Sequence, residues 1–139
     1  MTVVLDSGAL VAMERNERAM WIRLKAAQLG GDPPVTHAGV LGQVWRGGPR
    51  QARLSQALAG IDVRPLDEAL GRAAGHLLGA AGLADVVDAA VVLLAQDGDE
   101  IVTVDHDDLA QLAAAAGCHL LRGDLACLLY TSDAADERS

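Results

Sequence analysis

The chain has 139 residues, of which 51% are hydrophobic, 22% charged and 2% aromatic, and its formal net charge is −8. That length suits one domain around one core, and the apolar content excludes a disordered acidic chain. The longest uninterrupted apolar run, Ala89 to Ala95, is far short of the roughly 20 residues of a bilayer span, no basic segment precedes an apolar one near the start, and two cysteines make no disulfide framework; the expected setting is the cytoplasm, away from membranes.

Thr2 to Leu5 is a short β-branched run that stops at Asp6 and reads as a buried strand. Ser7 to Met13 follows as a helix with Ser7 as its cap, and Asn16 breaks it before a second helix over Glu17 to Leu29. The cluster Gly30-Gly31-Asp32-Pro33-Pro34 is a turn, Val35-Thr36 a minimal strand, and His37 to Trp45 a helix weakened by Gly39 and Gly42. Beyond Gly47-Gly48-Pro49, a helix is expected over Arg50 to Ala59 and a strand over Ile61 to Arg64. Asp67 caps a helix to about Leu78, and Gly79 to Gly82 reads as a loop. Val86 to Ala95 is apolar nearly all round, which predicts a buried helix. A strand over Glu100 to Val104 ends at Asp105, a helix from Asp107 or Asp108 runs to Ala116, and Cys118 to Leu121 is a last strand. Short apolar strands alternating with helices predict an α/β fold, a central parallel sheet flanked by helices.

The segment 127–139 is set apart. Its run Cys127-Leu-Leu-Tyr-Thr-Ser-Asp-Ala-Ala-Asp-Glu137 resembles a translated sequencing adapter, so the domain is expected to be 1–126 followed by a non-native tail. The tail contributes −2 of the −8, leaving −6. Within the remainder, residues 1–53 are net +3 and residues 54–126 net −9. Such asymmetry fits a cation-holding site beside a surface that tolerates anions, and equally two differently solvated faces.

Four acids carry the chemistry: Asp6, Asp85, Asp88 and Asp105. In a parallel sheet, functional groups gather beyond the carboxyl ends of the strands, which places Asp6 and Asp105 on one edge. Asp85 and Asp88 are spaced to share one helical face, although Asp85 also fits a plain N-cap. Asp88 on an otherwise apolar helix needs a partner or an ion. Clustered carboxylates repel, and a divalent cation relieves that repulsion. Oxygen-only ligands suit Mg²⁺ or Mn²⁺, and metal-assisted phosphodiester hydrolysis is the matching chemistry.

Three segments resemble the PIN domain family. They are Val3-Val-Leu-Asp6-Ser7-Gly-Ala-Leu10, Asp85-Val-Val-Asp88-Ala-Ala-Val-Val-Leu-Leu-Ala95, and Ile101-Val-Thr103-Val-Asp105-His-Asp-Asp-Leu109. The resemblance covers residues 2–121 and implies a three-layer fold and a metal-dependent endoribonuclease. It further implies the toxin of a bacterial type II toxin–antitoxin system, of the VapC type, that is dimeric and held by a cognate antitoxin. Asp6, Asp85, Asp88 and Asp105 would be the catalytic and metal-binding residues, with Ser7, Gln43, Thr103 and Asp108 around them. One departure stands out: the family usually has a glutamate where this chain has Gln43.

Arg46, Arg50 and Arg53 follow Gln43 closely and suit an RNA backbone as well as a solvated helix face. Trp45 is expected to pack in the core or at a dimer contact. A second reading, motivated by Gln43, is a PIN-like module that binds RNA or antitoxin and cleaves weakly or not at all.

Overall fold

A computed structural model describes residues 1–103 and 106–117. Asp105, the expected strand over 118–121 and the tail from 127 lie outside the described residues. The first strand, β1 (Val3–Leu5), is followed directly by helix α1 (Ser7–Glu14) and, past a turn at Asn16 with φ of 60°, by α2 (Arg18–Leu29). β2 (Val35–His37) leads into α3 (Ala38–Val44), a 3₁₀ turn (Pro49–Gln51) and α4 (Ala52–Leu58). Then come β3 (Asp62–Arg64), α5 (Glu68–Ala81), α6 (Val86–Leu94), β4 (Glu100–Val102) and α7 (His106–Ala115).

The four strands form one sheet in the order β3-β2-β1-β4, every pair parallel. Val4 is opposite Val35 on one side and Ile101 on the other. The chain is therefore α/β with the three-layer, PIN-like arrangement expected. The helices separate into two groups by their contacts: α2, α3 and α4 all pack on α1, while α5, α6 and α7 pack on one another. β1 carries apolar side chains because both of its faces are covered. Val4 and Leu5 join Leu10, Met13, Leu54, Val91 and Ile101 in the core. Among the described residues, no single helix is long and apolar enough to cross a membrane.

Local differences from the sequence reading have physical causes. Asp6, not Ser7, is the residue before α1, and its side chain makes no capping bond. The helix expected over Arg50 to Ala59 is split, because Pro49 at the first position starts a tight 3₁₀ turn before α4. α5 runs three residues past Leu78, through Gly79, to end at Gly82. Its neighbours α6 and α7 supply packing that outweighs the low helix propensity of Gly79.

Candidate functional site

The carboxyl ends of β1, β2 and β4 emerge together, and each is followed or closed by a polar residue. Asp6 continues β1: its backbone N–H donates to Val102 O at 2.9 Å, which extends the β1–β4 pairing by one residue. The Asp6 side chain is 3% exposed, and the Thr103 hydroxyl donates to its Oδ2 at 2.6 Å. Thr103, fully buried just past β4, thus fixes the carboxylate orientation. On the other side of β1, the buried Thr36 hydroxyl donates to Leu5 O at 2.7 Å.

His37 ends β2 and is fully buried. Its Nδ1 accepts from Gly39 N at 3.0 Å, capping α3. With that nitrogen an acceptor, the proton sits on Nε2, which donates to Val87 O at 3.0 Å. Burial pushes the His37 pKa below 6.5, while the Val87 bond and the charge of Asp6 oppose the shift. The ring therefore links the surroundings of Asp6 to the first turn of α6. Gly39 is required here by close approach: a Cβ would lie 2.9 Å from His37 Cε1 and 3.1 Å from Leu66 Cδ2.

The two acids of α6 part company. Asp85 is the exposed residue before the helix, and its Oδ1 accepts from Val87 N and Asp88 N at 2.9 and 3.2 Å. It satisfies two of the open N–H groups of the helix start. Asp88, one turn in, is 5% exposed. Asp85 thus stands just before the helix rather than within it, with its carboxylate on the first-turn N–H groups, that of Asp88 included. α6 packs on both β1 and β2, and the buried Asp88 stands in its first turn.

Gln43 is exposed and lines a cavity of about 830 Å³ with Ser7, Glu14, Arg15, Arg46 and Arg50. Ser7 directly follows Asp6, so this cavity opens beside the acid neighbourhood. Arg53 instead lines a separate groove with Asn16, Trp21 and Lys25. Trp45 is 39% exposed, so it is not a core residue; its neighbours turn the chain out of α3 and leave the ring at the surface. Asp108, half-buried, stands in the first turn of α7.

Among the described residues, no three histidine, cysteine or acidic side chains are grouped closely enough to hold an ion. Asp105, the remaining expected ligand, lies outside them. Asp6 and Asp88 are nonetheless buried carboxylates offering oxygen donors only, which fits a hard cation. Mg²⁺ commonly uses one or two carboxylates, waters and substrate phosphates.

Residues that sequence reasoning missed include Thr36, His37, Gln51, Glu14 and Arg15. Gln51 is 5% exposed, and its Oε1 accepts from Arg46 N and Gly47 N, both at 2.8 Å. Its Nε2 donates to Glu14 Oε1 at 2.9 Å and Val44 O at 2.8 Å. The pairing of His37 with Gly39, two residues on, was a readable capping signal; that of Gln51 with Glu14, 37 residues back, was not. No protein-family model matches the chain, and no curated protein matches it.

Proposed function

We propose that the chain is a metal-dependent endoribonuclease of the PIN type, acting as the toxin of a type II toxin–antitoxin system. The observation that carries this reading is the buried Asp6 carboxylate, hydrogen-bonded by Thr103 where β1 and β4 end, with the buried Asp88 supplied by α6. Asp6 and Asp88, with Asp105, would hold Mg²⁺ or Mn²⁺. When bound, such an ion lowers the pKa of an attacking water and neutralises charge on the scissile phosphate. Thr103 holds Asp6 in one orientation, and Asp85 fixes the first turn that carries Asp88. His37 contributes position rather than charge, since both its nitrogens are engaged by backbone. The reading brings with it a homodimer and a cognate antitoxin as partners.

The test is cleavage of a structured RNA by the purified chain across a Mg²⁺ and Mn²⁺ titration. Metal-dependent fragments that vanish with EDTA and fall to background in Asp6→Asn and Asp88→Asn are expected. Thr103→Val, which frees the Asp6 carboxylate, costs on the order of 10- to 100-fold. Asp85→Asn keeps a competent cap and retains most of the cleavage. RNA binding without cleavage at every metal concentration would instead establish the binding-module reading.

A further inference from the structure

The cavity between the end of α1 and the α3–3₁₀ connection has a charge pattern of its own. Arg15 follows α1, Arg46 follows α3, and Arg50 lies in the 3₁₀ turn, so three separate segments bring an arginine to one lining; the Nη1 of Arg46 donates to Gly42 O at 3.1 Å and Trp45 O at 2.7 Å, which holds that side chain in place. None of the three forms an ion pair with a described carboxylate; the described pairs of arginine involve Arg23, Arg64 and Arg72. Glu14 is the sole acid among the described lining residues, and one of its oxygens is already taken by Gln51. Gln43 is neutral where the family resemblance implies a glutamate. A carboxylate there would stand in the lining and cancel part of the arginine charge. The loop is also preformed, because Gln51 holds the backbone N–H groups of Arg46 and Gly47 from its buried position.

We infer that this cavity is a phosphodiester-binding pocket that takes the backbone of a single RNA strand and leads it to Asp6 past Ser7. Guanidinium forks match phosphate oxygens. No aromatic side chain is among the described lining residues, which favours contact with backbone over bases, although the Trp45 ring stands beside the lining at Gly47. Its apolar lining is limited to Val11 and Val44 side chains, which disfavours an acidic peptide needing apolar anchors. The choice of RNA rests on the nuclease reading, whereas the anion-binding character rests on the lining alone. Gln43 is then a residue that sets the charge of the strand pocket rather than a defective metal ligand.

The probe is a fluorescent 2′-O-methyl oligoribonucleotide, which resists cleavage, titrated in EDTA by anisotropy at several salt concentrations. Arg15→Ala, Arg46→Ala and Arg50→Ala should each weaken binding severalfold. Each should flatten the salt dependence by about 0.7 in the log–log slope, the value for one phosphate contact on a single strand. Gln43→Glu should weaken binding, and Arg72→Ala on exposed α5 should match the parent. Thermal melts confirm that each variant is folded; Gln43→Glu, at an exposed position, serves if an arginine variant is not. Three results overturn the pocket: no oligonucleotide binding by the parent, arginine variants with unchanged affinity and slope, or tighter binding of polyglutamate than of an oligonucleotide of equal charge. Because the readout is free of metal, loss of the nuclease reading leaves binding intact, and loss of the pocket leaves cleavage and its dependence on Asp6 intact.

Discussion

His37 carries two hydrogen bonds, and the one that its Nδ1 accepts from Gly39 N requires the neutral ring. A second proton would go to Nδ1, which now accepts from Gly39, and would break the cap of α3. Its folded-state pKa lies below 6.5, with burial the leading cause. The unfolded chain therefore binds the proton first. The stability owed to His37 is complete above about 6.5 and is lost as pH falls from there through the lower folded value. Urea midpoints of the parent and of His37→Gln should differ most near pH 8, and the gap should shrink towards pH 5. A gap that stays constant across that range would refute the assignment. Residues of this scale were unevenly legible. Asp6 stood out because it ends an apolar strand, and Asp88 because it is a lone charge on an apolar helix. Asp85 supported two readings until its Oδ1 was found on two backbone N–H groups. The buried histidine gave no sign of its burial, since only the packing of α6 over β2 creates it.

At the scale of elements, the connection from α3 to α4 depends on Gln51 more than on any local propensity. Gly48 adopts φ of 92° and ψ of 173°, a region essentially reserved for glycine. Around it, four hydrogen bonds of one amide side chain replace the regular ladder. Gln51→Leu keeps the volume but removes those partners, leaving Arg46 N and Gly47 N open. It should lower stability by about 1–3 kcal/mol, measured by urea unfolding, while Gln56→Leu on the exposed face of α4 should change it little. Helices were the readable elements because their apolar spacing is local. Their boundaries shifted where a tertiary contact intervened, as at α5, or where proline imposed a tighter turn, as at Pro49.

For the whole molecule, the parallel sheet was legible from the alternation of short strands with helices, but the strand order was not. Nothing within Val3–Leu5 announces that it pairs with Glu100–Val102 rather than with a sequence neighbour. The order makes β1 interior and leaves β3 with pairing to β2 alone among the described strands, its Asp62 and Arg64 exposed. Hydrogen exchange should therefore be slowest at Val4, Leu5, Val91 and Val92 and faster at β3 and the ends of α5. Early exchange at β1 would refute this order of stability. The pairing has a further consequence for biogenesis. Asp6 and Thr103 meet across 97 residues of chain, and contacts of such separation form late because loop closure must come first. A ribosome-bound chain that has already exposed Asp6 cannot orient it until Thr103 has emerged from the exit tunnel. Whatever this acid does, it cannot do it before then.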